Sequence, residues 1–596
     1  MKHIFLPYLP FAIVSLLLNS APIFSQNLDS EFEKATKQKL ELTDSNNQLR
    51  RLSLVLRGTI PTLEELEEFN KLPESSRREI YAAKFLKSSE FAEYWTDYFG
   101  SLFREKTSNW KEPNGAFYKY IAESLHKNIG YDQMVKELLT ATGRTDQKPQ
   151  TLYYARDNAD PLQMAEYVSR AFLGTKLSCA RCHDHPFEKD FTQKDYYALA
   201  SFFSQRWIRW NNSKEWLHWN LRANLPKEYR DEYNKKNWEW NKANWDKWNE
   251  AQRKAFNEKF KLEFKEVVFE SELGVRFPDK PEEQGGILVN PKLPFTKEEV
   301  NLPKNADRAE YFANWLVSKD NTRFRKVIVN RLFTKVMGSS FFTPLDDWKS
   351  DTKIANSELL DFLEKEFLRL GYKPKDFLYR LVTSRAFHRK TATEISNADS
   401  LAFYVPKRMD SNQLMNSLIR GSQIGKIPHI WERSLNLFSN KSIPNLNGVG
   451  QVSEPKKEQK DFGKACEVNR PSHINTFLAI FGSGDRDDID DNHYDVITIE
   501  QIFTMMNGRM TGFASWEGGK KNAYFSQQFE KNKNMMETIN LAFLALLSRP
   551  MSPEERAKIE RRSFSRLGPK DREFKEQIMQ DILWAIINSR EFQYVQ

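Results

Sequence analysis

The densest chemistry in the sequence lies in KLSCARCHDHPFEKD, Lys176 to Asp190. This stretch holds two of the three cysteines in the chain and two of its nine histidines. Cys179 and Cys182 are two residues apart and His183 follows at once, which is the C-x-x-C-H spacing of haem c attachment. In that chemistry both thiols add to porphyrin vinyl groups and the adjacent imidazole ligates the iron, so three neighbouring side chains serve one cofactor. Cys179 and Cys182 are therefore candidate thioether anchors for haem c, and His183 the candidate iron ligand. His185 is too close to His183 to cross to the other face of the ring. Candidates for that position are His388, His126, His473 or a methionine, and a five-coordinate iron is the alternative. Two other chemistries compete for the same residues. A disulfide or redox C-x-x-C explains the thiols and leaves the histidines without a role. A metal site of Cys179, Cys182, His183 and His185 has donors suited to Zn, but structural sites usually join two separated ligand pairs. The blandest reading is a structural turn, in which Pro186 keeps His185 extended and ends any helix there.

Haem c attachment requires export, and the N-terminus is consistent with it. MKHIFLPYLPFAIVSLLLNSAPIFSQ has a basic start at Lys2, an apolar run over Ile4 to Leu18 and then small and polar residues. That is the layout of a secretory signal, with cleavage expected after Ser25, and the run is short for a bilayer span. No later segment is long and apolar enough to cross a membrane. The expected location is periplasmic or secreted. The formal net charge of +9 falls to +8 once Lys2 leaves with the signal. Lysines and acids are interspersed, which argues for a solvated mixed surface and against a nucleic-acid partner.

The elements that must position the motif read as helices. Thr62 with Glu65 forms a capping-box signature at the start of one helix. QMAEYVSRAFLG leads directly into the cysteines, and FTQKDYYALASFFSQRW follows with apolar residues at helical spacing. The expected fold is mainly α, with two helical domains, a helical Trp-rich insertion and a small β-prone connector. The expected boundaries are 27–205 for the domain carrying the motif, 206–265 for the insertion, 266–303 for the connector and 304–596 for the C-terminal domain. The insertion holds eight tryptophans of the chain's 15: Trp207, Trp210, Trp216, Trp219, Trp238, Trp240, Trp245 and Trp248. Their helical spacing favours an arm that packs its aromatics on the body over a polysaccharide-binding surface. An echo links the two ends of the chain: LVLRGTIPTLEE resembles LALLSRPMSPEE, and SSEF, SRAF and SREF recur at Ser88, Ser384 and Ser589.

Through these motifs the first half resembles the planctomycete cytochrome-C-like domain known as domain of unknown function 1549. The likeness rests on LRGTIPTLEELEEF, YDQMVKELL and LSCARCHDHPFEKDFTQKDYYALASFF. The second half resembles its usual neighbour, domain of unknown function 1553, through NTRFRKVIVNRLF, DDW, LLDFLEKEFLRLGYKPKDFLYRLVTSRAF and LLSRPMSPEERAK. The resemblance implies an exported protein with a cytochrome-like haem motif and implies no reaction. Near FLAIFGSGDRDDIDDNHYD such relatives often carry paired cysteines where this chain has aspartates, so a function needing those cysteines does not carry over.

Weaker signals complete the reading. Asn330, Arg331, Asp346 and Asp347 are polar residues among apolar ones, either buried pairs organising the core or part of a site, with the structural role expected because buried charges are normally paired. DRDDIDD, Asp485 to Asp491, lacks the glycine and the terminal glutamate of an EF-hand loop and is expected to be a solvated acidic loop. There is no phosphate-binding glycine loop, no G-x-S-x-G elbow and no H-E-x-x-H. The functional expectation is a haem c protein that transfers electrons to a periplasmic redox partner. The alternative is a haem-free binding or scaffold protein that uses the Trp-rich arm.

Overall fold

The computed structural model describes residues 28–37, 39–106, 115–188, 191–210, 265–278, 286–391, 403–423, 463–468, 476–484, 486–489, 497–515, 524–532, 534–564 and 572–596. Helices dominate, as expected, and among the described residues the strands form two small antiparallel sheets. The segments that would carry the signal peptide and most of the Trp-rich insertion lie outside the described residues.

The two ends of the chain meet in one core. The helix Ser45–Arg57 starts at Asp44, whose Oδ1 accepts from the Asn47 backbone N–H at 3.0 Å. Arg50 on this helix donates to the carbonyls of Leu546 at 2.7 Å and Phe592 at 3.0 Å. Arg51, fully buried, donates to the carbonyls of Gln596 at 2.7 Å and Arg389 at 2.9 Å, and its guanidinium lies 3.8 Å from the Tyr404 ring centre. The last strand, Tyr594–Val595, pairs antiparallel with Lys407–Arg408. Burial pulls the Arg50 and Arg51 guanidinium groups down to about 10, so both remain cations at neutral pH.

The sequence echo corresponds to a repeated local construction. After Arg57 the chain turns through a left-handed Gly58 and restarts at Thr62, whose hydroxyl accepts from the Glu65 N–H at 3.2 Å. After Leu547 it turns through a left-handed Ser548 and restarts at Ser552, whose hydroxyl accepts from the Glu555 N–H at 3.1 Å. In both units the capping glutamate takes a two-pronged arginine, Arg57 at 2.7 Å on each oxygen and Arg549 at 2.8 and 2.9 Å. The S-x-x-F signatures share one hydrogen bond: Ser88 and Ser589 cap helices by accepting from the N–H groups of Phe91 and Phe592, and Ser384 accepts from the Phe387 N–H across a turn.

The insertion leaves the body on strands rather than helices. Arg206–Trp210 pairs antiparallel with Lys265–Phe269, and Gly143–Arg144 adds on the other side of the latter. Cross-strand pairing of Ile208 with Val267, both buried, fixes the register. The connector that follows is a run of isolated bridges, Arg276 to Leu288 and Lys292 to Glu299, consistent with its β-prone sequence.

Arg51→Ala is expected to destabilise the fold by about 3 kcal/mol or more, because it strips buried carbonyls of their donor. Lys71→Ala, at a 71 % exposed ion pair, should stay within about 0.5 kcal/mol. Denaturant unfolding of the two variants tests this contrast. Hydrogen bonds from Arg549 hold the Glu555 carboxyl at about 2 against an ordinary 4.5. Its stabilisation is present above pH 4.5 and is lost as pH falls from there through 2. Glu555→Gln should therefore flatten that acid limb of the stability curve.

Candidate functional site

The cysteine motif follows the helix Pro161–Leu173, whose end is held by the C-terminal half of the chain. Asp160 caps its start, accepting from the Leu162 N–H at 2.9 Å. Its last carbonyls, which no further helical turn can satisfy, go to two arginines. Arg331 donates to the carbonyls of Ala171 and, at 2.9 Å, Arg170. Arg323 donates to the Leu173 carbonyl at 2.8 Å, to the Thr175 hydroxyl at 2.8 Å and to the Trp348 carbonyl. Gly174 closes the helix at φ 58°, and a Cβ there would lie 2.8 Å from Val327 Cγ2. The site thus calls for glycine both by backbone conformation and by space. Burial pulls the Arg323 guanidinium down to about 10, leaving it cationic at neutral pH.

From this anchored end the chain makes a short 3-10 turn, Ser178–Arg181, and Cys182 donates its N–H to the Cys179 carbonyl. Ala180 is buried beneath the turn while Cys179 and Cys182 are exposed, unbridged thiols. His183 is exposed as well, with Nδ1 2.7 Å from the Asp184 carbonyl. A carbonyl can only accept, so Nδ1 carries the proton and Nε2 keeps its lone pair for a ligand. His185 is buried and differently employed. Its Nε2 donates to the Lys176 carbonyl at 3.2 Å, while Nδ1 accepts from the N–H groups of Glu188 at 2.9 Å and Phe187 at 3.3 Å. Both ring nitrogens are used in folding the loop back over itself. Asp184 ties the turn to the next helix, Gln193–Ser201, by accepting from the Gln193 N–H at 2.8 Å. Glu188 ties it to the second half by accepting from the Ser350 N–H at 2.8 Å.

The structure thus brings Cys179, Cys182 and His183 together on one outward-facing turn and gives His185 a backbone role. Among the described residues, no group of three or more His, Cys, Asp or Glu side chains is gathered to hold a metal ion. His388 is fully buried beside Arg51, with Nε2 2.9 Å from the Val382 carbonyl, and burial drives it well below the ordinary imidazole value. His126 is exposed at the end of the helix Ala116–His126, and His473 lies outside the described residues. The four polar residues singled out in the second half are divided by the structure. Asn330 braces the Phe341–Phe342 backbone at 2.8 and 3.0 Å, Arg331 caps the helix and Asp346 takes Arg170 at 2.6 Å. Asp347 pairs with Lys349 at 3.0 Å. The described aspartates of the acidic loop are solvent-exposed, as expected, Asp487 at 64 % and Asp488 at 63 %, and both also form ion pairs. Asp487 accepts from Arg156 at 2.8 Å and Asp488 from Arg170, so the described aspartates tie this loop to the first half. The arginines that neutralise them are more than 300 residues earlier in the chain, where a local reading of the loop does not look.

Comparison with known families now bears on the chain. Residues 25–206 match the family described as protein of unknown function DUF1549, and residues 308–562 match the one described as protein of unknown function DUF1553. The chain belongs to the proteins that carry this pair of domains in this order. No curated protein and no solved structure matches it. The motif falls inside the DUF1549 match, and both arginines that hold its base fall inside the DUF1553 match.

Sequence reading missed Arg323 and Trp348, which sit 150 residues and more beyond the helix end they hold. An arginine just after a helix cap at Asn321 carries no local sign of such a partner. Arg323→Ala is expected to cost about 2–4 kcal/mol, since it leaves buried acceptors unpaired. The motif turn should also open, so limited trypsin digestion under native conditions should cut after Lys176 or Arg181 faster than in the parent. Unchanged cleavage there would show that Arg323 does not hold the turn.

Proposed function

We propose that this is an exported c-type cytochrome-like protein, with haem c held through Cys179 and Cys182 and its iron ligated by His183. The single observation that carries the reading is the His183 ring. Its Nδ1 is spent on the Asp184 carbonyl at 2.7 Å, so the lone pair on Nε2 is left on the exposed side, beside two unbridged thiols on the same turn. A ligating histidine is oriented in this way, by a hydrogen bond from its other nitrogen. The donor set fits the group: two sulfurs to anchor it and one imidazole to bind its iron. Haem would supply the one-electron redox change, while the chain supplies anchoring, ligand orientation and a surface for a periplasmic or secreted redox partner.

One observation favours a second reading, a reversible Cys179–Cys182 disulfide. The Cys182 N–H to Cys179 carbonyl bond sets the two residues one tight turn apart. Closing the bridge would release two protons and two electrons to a partner disulfide. The metal-site alternative draws less support, because both nitrogens of His185 are engaged by backbone.

Expression in a periplasm that matures c-type cytochromes separates these readings. The haem reading expects a reduced α-band and haem that stays on the denatured chain, both lost in Cys179→Ala/Cys182→Ala. His183→Ala should keep the covalent stain and change the spectrum. A colourless protein whose two thiols become unreactive on oxidation would replace haem by the disulfide.

A further inference from the structure

A second site, unrelated to the cysteine motif, lies where the two halves of the chain face each other. It is an open cleft of about 110 Å³. One wall is the helix Ser89–Leu102, through Tyr94, Asp97 and Tyr98, and the opposite wall is Lys407 to Asn412 at the start of the helix Ser411–Ser422. Lys335 rises from the floor, and the loop Phe481–Gly484 with Arg486 closes one end.

The charge arrangement is uneven. Among the described residues two carboxylates, Asp97 and Asp410, line the cleft and each is already answered. Asp410 accepts from Lys335 at 2.7 Å and from the Tyr94 hydroxyl at 2.7 Å. Asp97 accepts from Arg486 and from Asn412, and Arg486 also takes Glu105 at 2.5 Å. Burial raises the Asp410 carboxyl, but Lys335 and its hydrogen bonds outweigh that and hold it below the ordinary value.

Arg408 differs from these. Its guanidinium donates to Gln501, a neutral amide, lies 5.2 Å from the Phe481 ring centre and has its buried Nε without a hydrogen-bond partner. A cation held only by neutral groups at the edge of a cleft gains more from an incoming anion than one already paired. Gly482, at φ 91°, gives the adjoining loop a backbone that a side chain would resist. With Gly484 it frames Ser483 in a loop whose backbone and short side chains line the cleft near Arg408.

We propose that this cleft binds the oxyanion group of a small molecule, a sulfate or a carboxylate, with Arg408 supplying the charged contact. Tyr98 and Phe481 provide aromatic walls for the carbon skeleton that bears the anion. The site is independent of haem, since none of its residues belongs to the cysteine motif.

The test is isothermal titration of the full mature chain at low ionic strength. The probes are sodium sulfate and sodium glucuronate, with glucose as the neutral control. Saturable binding of either anion, absent for glucose, is expected, and whichever anion binds more tightly names the source of the oxyanion. Arg408→Gln should weaken it at least about tenfold, the loss expected when a charge-assisted contact goes. Lys127→Gln, an exposed position outside the cleft, should leave it unchanged. Gln501→Glu guards against a misfolded Arg408 variant. It keeps the Thr498 cap and places a carboxylate beside Arg408 but gives up the amide donor to the Ile480 carbonyl at 2.9 Å, so it should abolish anion binding in protein whose folded state is confirmed by circular dichroism. No binding of either anion, equal binding of glucose, or full affinity in both Arg408→Gln and Gln501→Glu would overturn the proposal.

Discussion

The motif depends on the capture of one helix end. Pro161–Leu173 stops at Gly174 with carbonyls that need donors, and the donors come from Arg323 and Arg331 in the other half of the chain. An exposed helix end would be satisfied by water and free to fray. Here the Trp348 N–H also bonds to the Gly174 carbonyl at 2.5 Å, so backbone meets backbone at the point where the motif begins. The turn that follows is thus held at its base and presents its thiols and His183 outward.

The same device, arginine on backbone carbonyl, recurs where the chain closes. Arg50 and Arg51 reach from an early helix to carbonyls near the C-terminus, and Arg389 lies in the same buried region against Phe32 and Tyr404. A guanidinium carries five donors in a planar fork, so one side chain can finish several helix or strand ends at once. Carbonyl partners also let it be buried without a matching carboxylate. The two family-matched parts are therefore joined by hydrogen bonds of high sequence separation as well as by a shared apolar core.

What the sequence made legible follows from how local each determinant is. The capping boxes at Thr62 and Ser552 and the helix leading into the cysteines were readable because cap, first turn and apolar stripe lie within a few residues. The C-x-x-C-H turn was readable for the same reason. The role of His185 was not, because its partners are backbone groups placed by the loop's own fold. Arg206–Trp210 reads as the start of a Trp-rich helical arm, yet it is a strand, because its pairing partner lies at Lys265–Phe269, beyond the insertion. The helix Ile499–Asn507 shows the limit of periodicity. Its apolar Ile499, Ile502, Phe503 and Met506 are exposed while Gln501 and Thr504 are buried. The pattern identifies a helix, but the contacts of Gln501 with Arg408 and the Ile480 carbonyl decide which face turns inward.

On the haem reading, this division of labour has a chemical consequence. Rigidity comes from the buried base of the turn, and reactivity from side chains that stay in solvent. Thiols held this way are open to covalent attachment after the surrounding helices have formed, and the attached group would sit at the surface. An exposed redox centre exchanges electrons with a docked partner over a short path and is more polar in its surroundings than one sealed in a core. Among the described residues, His388 is sealed at the meeting of the chain ends, so it does not serve the outward face of this turn. Any further ligand from this chain would come from the remaining candidates, the exposed His126, His473 beyond the described residues or a methionine, and a group held at the surface would leave that ligand open to change by a docked partner.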